Sequence, residues 1–226
     1  MPRVKLNERM LAERARELIE QDGMEAFTMR RLAQAVGASP MAVYTYFADK
    51  EAVFEAVTQL LLAEVDVPPE DLGWEDATRF IMRSVRNTAA RHPNVARLMT
   101  RYPPRTVDAM AYVEAGFRAY LRAGFDPRSV ARCYRALAVY SIGSIDVELG
   151  HYFAASPASR GERPTLDTPN LEKHLPSLAS VGPQLSDQDD ADEFEYGLDL
   201  LIAGLSRLAG GASGRELAAA PGSART

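Results

Sequence analysis

The chain has 226 residues, 46% of them apolar and 25% charged, and carries a formal net charge of −5. This composition excludes disorder over most of the length, and the absence of any apolar run of about 18 residues excludes a membrane-spanning helix. The lone cysteine, Cys133, cannot form an internal disulfide, and Met1 to Glu8 lack the apolar core of a secretion signal, so a reducing cytoplasm is the expected compartment.

Helical spacing dominates, and no stretch alternates with the period of two that a half-buried strand requires, so the expected fold class is all-α. Leu11, Ala15, Leu18 and Ile19 form an apolar stripe on a helix from about Leu6 to Asp22, followed by Gly23 where helices favour a left-handed residue. Thr28 is the N-cap of a short helix containing Leu32, Ala33 and Val36, closed by Gly37. Ser39 caps the next, with Pro40 in its first position and Val43 and Phe47 facing inward. Asp49 caps a longer helix from Lys50 to about Val65 that buries Val53, Phe54, Val57, Leu60 and Leu61. Pro68-Pro69 and Gly73 separate it from a helix over Trp74 to Arg91, which His92-Pro93 ends. A short helix to about Thr100 and a break at Tyr102-Pro103-Pro104 follow. Then come a helix from Val107 to Ala123 stopped by Gly124 and a long one from Asp126-Pro127 to about Leu149. Residues 150–188 lose the period and collect Ser, Pro, Gly and Asp, which predicts a mobile loop with one short helix near Leu171 to Leu175. A last helix, Asp189 to Ala209, precedes a Gly/Ala/Ser-rich tail over 210–226 that is expected to be disordered.

Between Thr28 and Phe47 a short helix, a glycine turn and a second short helix make a helix-turn-helix whose second helix is small enough to enter a DNA major groove. Ala33 is small where the helices cross, and Gly37 turns the backbone. Arg30, Arg31, Tyr44, Thr45, Tyr46 and Lys50 surround the second helix with hydroxyl and cationic groups suited to phosphate oxygens. The Pro2-Arg3-Val4-Lys5 arm adds two charges. Glu8, Glu13, Glu17, Glu20, Asp22 and Glu25 lie close in sequence and confine the positive surface to one face.

The run Thr28-Met29-Arg30-Arg31-Leu32-Ala33-Gln34-Ala35-Val36-Gly37, followed by Val43-Tyr44-Thr45-Tyr46-Phe47-Ala48-Asp49-Lys50, closely resembles the DNA-binding signature of the TetR family of bacterial repressors. The resemblance implies that Thr28 meets phosphate and Arg30 a base or phosphate, that Pro40, Met41 and Ala42 face base edges, and that Tyr44, Tyr46 and Lys50 clamp phosphates. The recognition helix opens with Ser39-Pro40-Met41-Ala42, which has few hydrogen-bonding side chains. Direct readout therefore leans on Arg30, Thr45 and apolar contact with thymine methyls.

The two longest C-terminal helices carry more apolar surface than one core face needs, and Gly197, Ala203 and Gly204 leave room for a partner backbone. A four-helix bundle across a two-fold axis is expected, giving a homodimer that matches a palindromic operator. Trp74 opening a helix, the Arg97-Leu98-Met99-Thr100-Arg101-Tyr102-Pro103 segment, Gly124-Phe125 and the run from Phe194 to Leu205 are similar to the C-terminal domain of the tetracycline repressors proper. The drug-contacting positions of that class are not kept. Its metal-binding histidine is replaced by Arg97, its asparagine and phenylalanine by Ile81 and Val85, its glutamine by Gly116 and its second metal-associated histidine by Val139, so a magnesium-tetracycline effector is not expected. Expected cavity liners are Phe80, Val85, Tyr112, Phe117, Tyr134 and Tyr140, with Arg97 and Arg101 as polar anchors. They suit a drug-sized aromatic or polyketide-like molecule, anionic where Arg97 faces inward.

Searches for catalytic patterns find no glycine-rich phosphate loop, no Gly-x-Ser-x-Gly elbow and no His-x-x-x-His pair. Cys133 reads as a packing residue. No catalytic residue, metal or cofactor is expected, and the chain is not read as an enzyme. The expected division is a DNA-binding domain over 1–50, a ligand-binding and dimerisation domain over 51–209, and the tail. The expected function is a ligand-responsive repressor of double-stranded operator DNA, released when an effector displaces the connecting helix Lys50 to Val65. Two alternatives stand beside it: a helical small-molecule enzyme or carrier, and a constitutive DNA-binding regulator without effector.

Overall fold

The computed structural model describes residues 6–150, 171–185 and 190–208, and every regular element among them is helical. In chain order these are α1 (Glu8–Asp22), α2 (Met29–Ala35), α3 (Pro40–Tyr44), α4 (Lys50–Leu62), α5 (Trp74–Arg91), α6 (Val107–Arg122), α7 (Pro127–Gly150), α8 (Leu171–His174), α9 (Pro176–Leu185) and α10 (Asp190–Leu205). Short 3-10 turns occupy Ala96–Leu98 and Ser206–Leu208. No described helix is long and apolar enough to cross a membrane.

Local chemistry sets the helix starts. Asn7, Thr28, Ser39, Asp49 and Thr106 each accept a hydrogen bond from a first-turn amide of the helix they precede. Gly37 is left-handed (φ +65°), and the Ala38 amide reaches back to the Ala33 carbonyl at 2.9 Å. That bond closes α2 and aims α3 across it; a side chain at residue 37 would strain the turn.

Two apolar clusters form the interior. The first joins Leu11, Ile19, Leu32, Val43 and Val57 to Leu98, Tyr112 and Ile145. It runs without interruption from the three N-terminal helices through α4 into α6 and α7, so no break in packing falls at residue 50. The second gathers Met82, Tyr120, Phe125, Cys133, Leu137 and the α10 residues Phe194, Leu198 and Ile202. Trp74, Tyr120 and Phe125 meet within it at centroid distances of 5.1–5.2 Å. Cys133 is fully buried and burial pushes its thiol pKa up to about 11, which makes it a packing group rather than a nucleophile.

Several boundaries differ from those the spacing suggests. α3 ends at Tyr44 because the amides of Tyr46 and Phe47 both turn back to the Val43 carbonyl, at 3.0 and 3.1 Å. α4 ends at Leu62, after which Glu64 and Val65 bond three residues back instead of four. The expected helix to Thr100 is a single 3-10 turn. The loop expected across 150–188 holds α8 and also α9; residues 151–170 and 186–189 lie outside the described residues. Pro176 suits the first position of α9, and Leu178, Val181 and Leu185 keep helical spacing in sequence, hidden by the Ser, Gly and Pro between them. The tail over 210–226 lies outside the described residues.

Where α1 meets the segment after α5, the Glu20 carboxylate is enclosed, with the backbone amides of Asn94 and Val95 beside it. The His92 ring lies between it and Glu64, with Nδ1 3.9 Å from Glu20 and Nε2 2.9 Å from Glu64. Burial raises the Glu20 pKa, outweighing the opposing influence of the His92 charge, the Asn94 and Val95 amides and the Arg16 charge. A carboxyl that binds its proton more tightly when folded favours the native state at acidic pH, and that contribution is lost as pH rises through the raised pKa. Glu20→Gln is therefore expected to raise the melting temperature at pH 7 by roughly 1–3 °C and to leave it unchanged near pH 4. Thermal melts at the two pH values check this; a variant less stable at pH 7 contradicts it.

Candidate nucleic-acid interface and ligand cavity

Thr28, Arg30, Ser39, Pro40, Met41, Tyr44 and Thr45 are exposed, with Ala42 half-buried beside them. Met41 at 74% and Tyr44 at 46% stand furthest out among the large side chains of α3. As N-caps, Thr28 and Ser39 accept from the amides of Arg31 and Ala42 at 3.2 and 3.3 Å, so each keeps its hydroxyl proton to donate to a phosphate. Thr45 instead donates to the Met41 carbonyl at 3.1 Å and keeps only acceptor capacity. Tyr46 donates to the Leu6 carbonyl at 2.8 Å, so it pins the start of α1, and a phosphate role competes with that bond. Lys50 Nζ bonds the Met24 carbonyl at 3.2 Å and lies 5.0 Å from the Phe54 ring centre, with two N–H groups left over.

The two arginines of α2 differ. Arg31 donates to the Ala26 carbonyl at 2.9 Å and to Asp22 at 2.5 Å, inside the unit. Arg30 has no hydrogen-bond or ion-pair partner among the described residues, which leaves its guanidinium free for a base edge or phosphate. Glu13, Glu17 and Asp22, which threatened to spoil a positive face, are paired with Arg9, Arg14 and Arg31.

Further along, α5, α6, α7 and the segment after the 3-10 turn enclose a cavity of about 310 Å³. Val85, Arg101, Tyr112, Phe117 and Tyr134 stand on its wall. Phe80, Arg97 and Tyr140 do not. Phe80 is one residue from the inward Ile81 and so about 100° off that face; it borders a separate groove beside Asp66 and Arg83. Arg97 donates to the Leu149 carbonyl at 3.4 Å. Tyr140 stacks on Phe194 at 5.6 Å between ring centres and donates to its carbonyl at 2.7 Å. A Cβ at Gly197 would collide with that tyrosine, so Gly197 makes room for a side chain of its own chain.

The wall also contains residues that are not among the expected liners. Thr78 donates to the Trp74 carbonyl at 2.6 Å and accepts from the Tyr120 hydroxyl at 2.8 Å, a polar pair buried in an otherwise apolar stripe. Ile81 Cδ1 occupies the space a side chain at Gly116 would need, at 3.1 Å. Burial raises the phenol pKa values of Tyr112, Tyr120 and Tyr134, so all three are neutral groups. Arg101 is 3.0 Å from Glu51 and therefore already paired.

Met99 to Pro104 form one side of the cavity and grip α4 from the other. The Gln59 side-chain oxygen accepts from the amides of Arg105 and Thr106 at 2.6 and 3.1 Å, and its nitrogen donates to the Pro103 carbonyl at 3.1 Å. Arg105 pairs with Glu55 at 2.8 Å, and Tyr102 donates to Glu51. Glu51, Glu55 and Gln59 are spaced at four residues and so line one face of α4. The first of them adjoins Lys50.

One face of α7 and α10 has no partner among the described residues. Val139 is 71% exposed, Tyr196 65% and Leu200 59%, with Ile142 and Ala203 exposed beside them. Apolar side chains this open on two adjacent helices mark a contact surface.

Residues 11–57 match the model of the bacterial regulatory proteins of the tetR family, and residues 67–209 match the tetracyclin repressor-like C-terminal domain. The chain is 27% identical over 201 residues to an HTH-type transcriptional regulator of Saccharopolyspora erythraea, covering 86% of this chain and 82% of that one. It is 27% identical to the class D tetracycline repressor protein of Escherichia coli over 206 residues, covering 88% and 89%. In fold it is similar to the Streptomyces coelicolor TetR family protein ActR in complex with actinorhodin, with a TM-score of 0.80 at 22% identity over 92% of this chain and all of that one.

Proposed function

The chain belongs to the tetR family of bacterial regulatory proteins, and from that premise we propose a homodimeric repressor that holds a palindromic operator until a small aromatic effector fills its cavity. A ligand-responsive, DNA-binding transcriptional regulator is the family's activity, and its members are not enzymes. The observation that carries the finer reading is the shared α4. The wall of the cavity and the reading head are both fastened to this one helix, the wall through Glu51, Glu55 and Gln59 and the head through Lys50 and the packed Val53 and Val57. A ligand that pushes residues 99–104 outward drags α4 with them. Paired heads on B-DNA must sit about 34–36 Å apart or a multiple of that, so a shift of a few ångström unseats both.

On this reading Thr28, Arg30, Ser39, Pro40, Met41, Ala42, Tyr44, Thr45 and Lys50 face DNA, with Arg30 as the free cation. Tyr46 acts through the start of α1. Val85, Arg101, Tyr112, Phe117 and Tyr134 face the effector. Ile81 against Gly116 gives no place for the polar contacts of a magnesium-tetracycline complex, and a protein of the same fold has been solved with actinorhodin instead. The open face of α7 and α10 supports a two-fold partner.

The test is a gel shift with duplexes selected from a random pool by the full chain, followed by titration with aromatic compounds. Recovery of an inverted repeat, released by a compound that also binds the free protein, is expected. Recovery of no preferred sequence overturns the reading. A second check addresses the linkage. Gln59→Ala removes the bonds to Arg105, Thr106 and Pro103 without touching either site, and is expected to leave operator affinity within about twofold while raising the compound concentration needed for release at least about fivefold, the scale of a typical coupling energy. Unchanged release contradicts the role given to Gln59.

A further inference from the structure

We infer that Tyr112 and Tyr134 form an oxygen-recognising pair on the cavity wall, and that the molecule accepted there is an uncharged, planar aromatic bearing a carbonyl or hydroxyl oxygen. This rests on the ligand-responsive reading above and narrows it to a chemical class.

Tyr112 on α6 and Tyr134 on α7 both line the cavity, yet neither hydroxyl has a hydrogen-bond partner among the described residues. Neither is sealed off from open space, as an orphaned core hydroxyl would be. The neighbouring tyrosines differ: Tyr120 bonds Thr78, Tyr102 bonds Glu51 and Tyr140 bonds the Phe194 carbonyl. Two donors are thus left without a partner on the wall of a mainly apolar cavity. They lie near enough for a charge on Tyr134 to raise the pKa of Tyr112, and burial holds both neutral. A neutral phenol both donates and accepts, so a carbonyl or hydroxyl placed between the pair satisfies them and a hydrocarbon does not.

Charge and shape narrow the class further. Among the described residues no acidic side chain lines the cavity and its one cation, Arg101, is paired with Glu51, while Arg97 is turned to the Leu149 carbonyl. A charged ligand would enter without a counter-ion, which burial penalises. The Phe117 and Tyr134 rings meet edge to face at 5.4 Å and favour a flat guest. A volume of about 310 Å³ is at the lower end of the roughly 300–1,000 Å³ range for drug-sized ligands, which suits a small fused-ring system.

Fluorenone is a suitable probe, with fluorene as the same skeleton without oxygen and fluorenone-4-carboxylate as its anionic form. Trp74, the only tryptophan, lies 5.2 Å from the cavity residue Tyr120 and reports binding by fluorescence. In the full chain, Tyr112→Phe and Tyr134→Phe each remove one hydroxyl and keep the ring. Each is expected to weaken fluorenone binding roughly threefold to tenfold, the value of one hydrogen bond, and to leave fluorene binding unchanged. The carboxylate is expected to bind at least about tenfold more weakly than fluorenone. Fluorenone affinity in either variant equal to that of the unsubstituted chain, or no fluorenone binding by the unsubstituted chain, overturns the inference. Either result leaves operator binding standing, whereas absence of any DNA shift removes the earlier reading instead.

Discussion

Tyr44→Ala is expected to abolish the shift of an operator duplex while the protein stays folded and dimeric. Tyr44 is half exposed at the end of α3, and its hydroxyl has no partner among the described residues, so truncation removes no contact described for the fold. A hydrogen bond from a neutral hydroxyl to a charged phosphate contributes about 1.5–3 kcal/mol. Two copies in a symmetric complex double this to about 3–6 kcal/mol, a loss of roughly 10²-fold to 10⁴-fold. Tyr44→Phe separates the hydroxyl from the ring: if the phosphate bond is what counts, phenylalanine loses nearly as much as alanine. Fluorescence anisotropy on the selected duplex checks both variants, with circular dichroism as the control for folding. Unchanged affinity in Tyr44→Ala would remove this residue from the interface.

Val139→Arg is expected to produce a folded monomer that no longer binds a palindrome. Val139 is 71% exposed in the single chain, so an arginine there has open solvent and costs the monomer almost nothing. In the proposed dimer it would meet the apolar surface of Ile142, Tyr196 and Leu200 across the two-fold axis and become a buried charge without a partner. Such charges cost about 3–5 kcal/mol each, and symmetry supplies two. With one head per particle, affinity falls toward the non-specific level, roughly 10³-fold or more. Sedimentation should show one chain per particle, with Trp74 fluorescence still responding to fluorenone. A persistent dimer with unchanged operator affinity would place the contact on another face.

Features that depend on a few neighbouring residues were legible before any coordinates. Thr28, Ser39 and Asp49 announce helix starts because capping is a bond between a side chain and an amide two or three residues on. Gly37 announces the turn because its backbone conformation disfavours other residues. The cavity was half legible. Tyr112, Phe117 and Tyr134 stood out as aromatics on amphipathic helices, but Phe80 and Tyr140 carry the same signal and face elsewhere, since a one-residue step turns a helix by about 100°. Arg97 was misplaced for a related reason: the 3-10 turn it sits on has a different pitch from the helix the spacing suggested.

The tie between the cavity wall and α4 left no trace in the sequence. Gln59 bonds groups 44 to 47 residues away, and contacts over that separation impose no local period. In sequence it is only a polar residue interrupting an apolar run. α9 was hidden differently, because Ser, Gly and Pro diluted a stripe whose spacing was nonetheless helical. The free state of Arg30 and the engaged state of Arg31 were likewise beyond reach, as adjacent arginines look alike until Asp22 and the Ala26 carbonyl are placed.

The lever itself can be measured as a distance. The only cysteine, Cys133, is fully buried, so a single exposed thiol introduced by Gln34→Cys on α2 takes a spin label at one defined place per subunit. Double electron–electron resonance between the two labels of a dimer then reports the separation of the reading heads, with the cavity empty and with it filled by fluorenone. A change of a few ångström on filling is the expected result; one unchanged distance distribution in both states, with fluorenone demonstrably bound, would contradict the mechanism.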